Sequence, residues 1–284
     1  MASPFDAIAD ARTTLARSGV SAVDSIDAEV LARHVLGWDR AQLLASGRDP
    51  ATLEFHAAFE ALIRRRAARE PVAQIIGRRE FWGLDFEVTP DVLIPRPETE
   101  LLIEETVDFA HHHPCALVID VGTGSGCIAV AVAHALPDIK VIAVDTSRAA
   151  LDVARRNAAS HGMADRITFQ HGDVLGGVSA TADLIVSNPP YVAESDASHL
   201  QAEVIGFEPH AALFGGADGL NIMRRLVGEA PSRLASGGRL IVEFGFGQER
   251  AVRALAAESG WEILRVREDL QGIPRAAVLT RGGS

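Results

Sequence analysis

The chain has 284 residues, 27 basic and 38 acidic side chains, and a net charge of −11. At roughly 150 residues per domain that length holds about two domains, and 48% hydrophobic with 23% charged residues is an ordinary globular balance. The acidic surplus argues against a protein whose main task is gripping nucleic acid, where phosphate contacts dominate affinity; two cysteines, Cys115 and Cys127, cannot form a disulfide framework, so a reducing cytoplasm is the expected home.

The opening stretch Met1-Ala2-Ser3-Pro4-Phe5-Asp6 has no basic segment followed by an apolar one, so no secretory signal is expected. Ile8, Ala11, Leu15 and Ala16 then recur at helical spacing behind Ser3-Pro4, a cap with proline in the first turn, until Gly19. Asp27 to Leu36 repeats the pattern through Val30, Leu31, His34 and Val35, and Gly37 ends it. A short segment from Arg40 to Ala45 follows, and Pro50 opens a longer helix through Leu53, Phe55, Phe59, Leu62 and Ile63 into Arg64-Arg65-Arg66. These segments form a small helical domain with its own apolar periodicity. Pro71 is expected to end the helical run. Ile75-Ile76-Gly77 and Leu84 to Val88 read as two short strands around Phe81-Trp82-Gly83, and Pro95 and Pro97 force an extended stretch.

Beyond Glu98 strands and helices alternate. Strands are predicted at 116–121, 140–145, 167–170, 184–187, 239–244, 262–267 and 276–280. Helices are predicted at 128–136, 148–160, 220–234 and 249–259. That alternation argues for a parallel α/β sheet covered on both faces. The longest uncharged stretch, Val121 to Pro137, is rich in Gly, Ser and Thr and shorter than the about 20 apolar residues of a membrane span.

Asp120-Val121-Gly122-Thr123-Gly124-Ser125-Gly126 lies between the first strand of this series and its helix, and glycines there let the backbone turn sharply and approach a ligand. Asp145 ends the next strand, 19 residues after Gly126, where a carboxylate accepts both hydroxyls of a ribose. Cys127 occupies the place of the last glycine in the dinucleotide fingerprint, which favours an adenosine ligand without pyrophosphate. Asp120, Asp145, Asp173 and Asn188 all fall at carboxyl ends of strands, where open parallel sheets bind ligands. The fourth strand runs into Ser187-Asn188-Pro189-Pro190-Tyr191, which contains the chain's one tyrosine. A planar amide or arylamine nitrogen is a poor nucleophile because its lone pair is delocalised. Attack on a methyl group builds positive charge on it, which acceptors aimed at its N–H groups stabilise. Asn188 supplies a side-chain oxygen, Pro189 a carbonyl, and Tyr191 a face for a flat group.

Gly122 to Gly126, Asp145 and Asn188-Pro189-Pro190-Tyr191 resemble the S-adenosylmethionine-dependent methyltransferases acting on exocyclic or amide nitrogen. Arg79-Glu80-Phe81-Trp82-Gly83-Leu84, Leu93-Ile94-Pro95-Arg96-Pro97-Glu98-Thr99-Glu100, Phe207-Glu208-Pro209 and Asp218-Gly219-Leu220 narrow the resemblance to the release factor glutamine N(5)-methyltransferases, the PrmC or HemK family. The resemblance covers nearly the whole chain. It implies an α/β fold, a Rossmann-like class I methyltransferase sheet of seven strands with the last antiparallel, beside a small N-terminal all-helical domain. The expected spans are 1–70 for a helical release-factor-recognition domain, 71–97 for a linker with a short β-hairpin, and 98–284 for the methyltransferase domain.

The implied activity is methylation of the glutamine in the Gly-Gly-Gln motif of peptide chain release factors, with S-adenosyl-L-methionine as donor. The implied cofactor positions are Gly122, Thr123, Gly124, Ser125, Gly126, Asp145, Asp173, Val174 and Asn188; the implied catalytic and substrate positions are Asn188, Pro189, Pro190 and Tyr191. Family members can carry an aromatic residue where this chain has Val174. The expected partners are release factors, with no direct nucleic-acid substrate, no membrane and no metal, and the expected state is a cytoplasmic monomer.

Rival readings remain separable. An adenine-N6 methyltransferase shares Asn-Pro-Pro-Tyr but normally needs a basic target-recognition region. A nicotinamide oxidoreductase is disfavoured by Gly-x-Gly-x-Gly, and a non-catalytic relative by the intact Asn188 and Tyr191. His111-His112-His113 cannot all point one way, so a metal is not expected there. Cys127 is expected to pack rather than react. The arginines at 64, 65, 66, 69, 78 and 79 form either a solvated helix end or a contact for an acidic partner or RNA. Phe81 and Trp82 are divided between core and site, and the Gln271 to Arg275 turn has no assigned role.

Overall fold

The structure is a computed structural model that describes residues 2–20 and 26–281. Residues 1, 21–25 and 282–284 of the expected domain spans lie outside the described residues. The chain divides into two compact units, one comprising Met1–Arg78 with Gln201–Phe207, the other Arg79–Leu200 with Glu208–Ser284.

The first unit is helical. Helix α1 (Pro4–Arg17) starts with a capping box: the Ser3 side chain accepts the Asp6 N–H, and the Asp6 carboxylate accepts the Ser3 N–H at 2.9 Å. It is followed by α2 (Asp27–Leu36), α3 (Arg40–Ser46), α4 (Leu53–Ala67) and α5 (Val72–Ile76). Ile8, Leu15, Leu31, Leu43, Phe55, Phe59 and Ile63 close one core, as their spacing predicts. Helix α4 begins not at Pro50 but after Thr52, whose side chain accepts the Phe55 N–H.

The strand expected at Ile75-Ile76-Gly77 is a helix end instead. Proline at 71 lacks only an N–H that a first helical turn leaves unpaired anyway, so it starts α5 rather than stopping structure. A distant segment completes this unit. Arg66 is buried and donates to Asp27 Oδ2 at 2.7 Å and to Glu203 Oε1 at 3.1 Å, Arg69 donates to the same oxygen at 2.9 Å, and Gln74 Nε2 donates to the Phe207 carbonyl at 2.9 Å. Arg64 pairs with Glu60 and Arg65 with Glu70. The arginine run at the end of α4 is thus largely matched by carboxylates of its own unit.

The second unit opens, from Arg79, within strand β1 (Arg78–Phe81), which pairs with β2 (Leu84–Glu87); Phe81 and Phe86 meet edge to face in the core. Phe81 is therefore a core residue. The Trp82 N–H donates to Glu100 at 2.9 Å. Then follow α6 (Glu100–His112), β3 (Leu117–Val121), α7 (Cys127–Ala135), β4 (Lys140–Asp145), α8 (Arg148–Ser160), β5 (Ile167–His171) and β6 (Ala182–Ser187). The chain passes through α9 (Ala202–Phe207), which belongs to the first unit, and α10 (His210–Leu213). It closes with α11 (Asn221–Glu229), β7 (Leu234–Glu243), α12 (Glu249–Glu258), β8 (Trp261–Glu268) and β9 (Pro274–Arg281). The helix predicted to reach residue 234 stops at Glu229, where Ala230-Pro231-Ser232 forms a 3-10 turn.

Strands β3 to β9 form one sheet in the order β5-β4-β3-β6-β7-β9-β8. The pairs from β5 to β7 are parallel, and β9 runs antiparallel to both β7 and β8. Alternate residues feed two cores: Val118, Leu184, Val186 and Ile241 face α6 and α7, while Ile119, Ile185, Leu240 and Val242 face α11 and α12. Among the described residues no helix is long and apolar enough to cross a membrane.

Gly126 serves packing. Its φ is +80°, and a Cβ there would sit 2.9 Å from the Ala154 Cβ on α8. Gly126→Ala therefore combines backbone strain with a clash and should lower stability by about 1–3 kcal/mol. Chemical denaturation checks this, and a wild-type midpoint would contradict it.

Candidate active site

The first crossing of the sheet builds a rigid loop. The Gly122 and Thr123 N–H groups donate to the Val144 carbonyl at 2.9 and 3.0 Å, and Thr123 Oγ1 donates to Asp120 Oδ2 at 2.6 Å. The Gly124 N–H donates to Asp145 Oδ2 at 2.9 Å, while Asp145 Oδ1 accepts from Ser147 N–H at 2.8 Å. Gly122 and Gly124 adopt φ of +74° and +55°, and the Asn188 carbonyl lies 3.9 Å from where a Gly122 Cβ would stand. Sequence reasoning did not single out Asn157 of α8. This buried amide donates to the carbonyls of Ser125 and Glu87 and accepts the Glu87 N–H, so it ties the loop to β2.

Two recesses open beside this loop. The larger is lined by Gly122, Gly124, Asp145, Asp173, Val174, Asn188, Pro189 and Pro190, with apolar walls that include Val121, Val144 and Ile222. The smaller is lined by Gly122, Thr123, Gly124, Ser125 and Asn188 together with Thr99. Gly126 and Tyr191 line neither recess. The Asp173 carboxylate is held by Arg225 at 2.8 and 2.9 Å. Val174 is buried with φ at +52°, a left-handed conformation that costs a β-branched residue about 1–3 kcal/mol. Cys127 is buried, and desolvation pushes its thiol up to about 12, so it packs as a small apolar residue.

Asn188 stands where β6 leaves the sheet. Its Nδ2 donates to Thr99 Oγ1 at 2.9 Å, and its Oδ1 is buried without a hydrogen-bond partner. Thr99 in turn donates to Glu243 Oε2 at 2.7 Å, and the Tyr191 hydroxyl donates to Glu243 Oε1 at 3.3 Å. Thr99 comes from the Pro-Arg-Pro-Glu-Thr stretch and Glu243 from the end of β7. Only three-dimensional folding brings them together. Nearby, Glu208 receives the Ile94 N–H at 3.0 Å and pairs with Arg96, which fixes the proline-rich segment.

Asp120 and Glu243 are fully buried, and desolvation raises both carboxyls to about 7, against a smaller lowering by Thr99 on Glu243 and Thr123 on Asp120. Each binds its proton more tightly folded than unfolded, so the stability each contributes is present below about pH 4 and lost as pH rises through about 7. Asp120→Asn removes one of these titrations. The fall in urea midpoint between pH 5 and pH 8 should then be smaller in the variant than in the wild type. An unchanged difference would contradict the assignment.

The sheet order with its antiparallel β9, and a glycine loop facing Asn-Pro-Pro-Tyr across the ends of β3 and β6, define a Rossmann-like class I methyltransferase. Residues 6–77 match the family described as PrmC N-terminal domain, and residues 98–214 match Methyltransferase small domain. A release factor glutamine methyltransferase of Cereibacter sphaeroides is 44% identical over 95% of each chain. That of Bordetella pertussis is 46% identical over 88% of this chain and 92% of its own. A methyltransferase structure from Pyrococcus furiosus, 19% identical, superposes with a TM-score of 0.53 over 78% of this chain and 98% of its own, a likeness of fold. The chain belongs to the release factor glutamine methyltransferase family.

Proposed function

We propose that the protein methylates the side-chain amide nitrogen of the glutamine in the Gly-Gly-Gln motif of peptide chain release factors, with S-adenosyl-L-methionine as donor. The observation that carries the chemistry is the buried, unpartnered Oδ1 of Asn188, a residue that lines the glycine-loop recess. A buried acceptor left unpaired is costly, so it fits a group that arrives with an N–H to give. The loop suits the cofactor: Gly122 and Gly124 leave room for close approach, Asp145 offers a carboxylate, and Val121, Val144, Val174 and Ile222 supply apolar walls. Bound S-adenosylmethionine would supply an electrophilic methyl group, its methyl–sulfur bond breaking to leave S-adenosyl-L-homocysteine.

The chain's own groups act on the target amide. Asn188 Oδ1 accepts one N–H and the Pro189 carbonyl the other, which aims the nitrogen and stabilises positive charge as it develops there. No base needs to remove a proton beforehand, because the nitrogen becomes acidic once alkylated. The helical unit is assigned to release-factor recognition, since it has its own core and supplies none of the residues lining the two recesses. Leu44 and Leu53 are 68% and 71% exposed on that unit. Changing both to serine should raise the release-factor KM several-fold and leave cofactor affinity unchanged; an unchanged KM would remove these leucines from the recognition surface. Incubation with methyl-labelled S-adenosylmethionine and a release factor, followed by mapping of the label, tests the activity itself. Label on any residue other than the Gly-Gly-Gln glutamine would overturn the reading.

A further inference from the structure

We infer that Glu243 is a positioning residue which, through Thr99, holds the Asn188 amide with its oxygen turned toward the substrate; this rests on the methyl-transfer reading above. An asparagine amide has a donor end and an acceptor end of nearly the same shape, and only one orientation helps an incoming N–H. The wrong one would set an NH2 group against the N–H groups of the target amide. Asn188 cannot choose by itself, because its immediate neighbour, the Thr99 hydroxyl at 2.9 Å, both donates and accepts. Glu243 removes the ambiguity. In its ionised form the carboxylate only accepts, so the Thr99 proton goes to Oε2 at 2.7 Å, and Thr99 is left with lone pairs alone for Asn188. Asn188 must then present its NH2 to Thr99, which leaves Oδ1 on the other side, where it is buried and unpartnered. Tyr191 secures the second carboxylate oxygen at 3.3 Å. The tyrosine of Asn-Pro-Pro-Tyr thereby acts on the asparagine of the same motif from behind the site.

The arrangement also accounts for a buried carboxylate near the end of β7, in a run whose other residues, Leu240, Ile241, Val242 and Phe244, are apolar. A charge in such surroundings costs stability unless it is well bonded. Neither Thr99 nor Glu243 needs to touch the substrate for this role.

Four variants test the relay on the full chain with one release factor: Thr99→Val, Thr99→Ser, Glu243→Met and the Thr99→Val/Glu243→Met double. Thr99→Val keeps the shape and removes the hydroxyl, so kcat should fall by about 10²-fold, the scale for a misplaced reacting group. The release-factor KM and the calorimetric affinity for S-adenosylmethionine should stay within about threefold of wild type, because valine keeps the shape that position 99 gives the smaller recess. Thr99→Ser restores the hydroxyl and should restore most of kcat. If Glu243 acts through Thr99, the double variant is no worse than the poorer single one. Losses that multiply, a loss that falls on KM instead of kcat, or a Thr99→Val enzyme with wild-type kcat would overturn the inference. Should Glu243→Met fail to fold, the two Thr99 variants decide alone. A wild-type protein that labels no release factor refutes the proposed function instead, so the two failures are distinct.

Discussion

Asn188→Ala should lower kcat by about 10²–10³-fold, the scale for losing one preorganised electrostatic group. The side chain gives nothing to the sheet, and its Oδ1 has no partner within the protein. Its removal therefore acts on the reaction more than on the fold, and the release-factor KM should change little. Asn188→Asp separates acceptance from mere bulk. A carboxyl still offers an oxygen to the target amide, but once Glu243 is ionised Thr99 gives it its proton and needs a donor from position 188. The new side chain satisfies that need only while protonated. Measurable activity should survive at low pH and fade as pH rises, whereas the alanine variant stays low throughout. A comparison of kcat against pH at saturating cofactor decides the matter. Equal profiles for the two variants, or a near-wild-type alanine variant, would refute the acceptor role.

The second large effect belongs to Asp145. Asp145→Ala should weaken S-adenosylmethionine binding by about thirtyfold or more, since a lost hydrogen bond to a charged group costs about 2–3 kcal/mol. The structure gives the loss a second source, because the same carboxylate holds the Gly124 N–H at 2.9 Å and the Ser147 N–H at 2.8 Å. Asp145→Asn keeps one acceptor for the loop and loses the charge, so its affinity should fall between wild type and the alanine variant. Calorimetry on the three proteins measures both contributions. Unchanged affinity in the alanine variant would sink the assignment of Asp145 to the cofactor.

What could be read in the residues follows from how local each signal is. The strand at Lys140–Asp145 and the helices at Asp27–Leu36 and Arg148–Ser160 appear with the expected bounds, because each is a periodic run between clear punctuation. The glycine loop, Asp145 and Asn188 were legible because each lies at a strand end, and a parallel sheet gathers such ends on one edge. Pro71 misled, since the same ring that breaks a helix from within starts one at its edge. The short α9 shows no buried apolar face, whereas α6 carries a helical pattern through Leu102, Ile103, Thr106 and Phe109 that went unread. Thr99, Asn157 and Glu243 stayed hidden for a different reason. Their roles depend on partners 89, 32 and 144 positions away, and a polar residue inside a strand or beside a proline shows no local sign of what it will touch.

The capture of residues 201–207 by the helical unit bears on how the chain is made. A ribosome releases the α1–α5 segment first, but Glu203 and Phe207 follow only after β3 to β6 have been synthesised. At roughly 5–20 residues per second, the delay over the 137 residues between Arg66 and Glu203 is about 7 to 27 seconds. Through that interval the emerging helices fold without one of the carboxylates that later holds Arg66 and without the carbonyl that receives Gln74. The amino-terminal unit is thus finished late, and its last piece comes from the stretch between Asn-Pro-Pro-Tyr and Glu208. Birth order along the polypeptide and order of completion in space run opposite ways here, so a nascent chain stalled before residue 201 should carry a looser helical unit than the released protein.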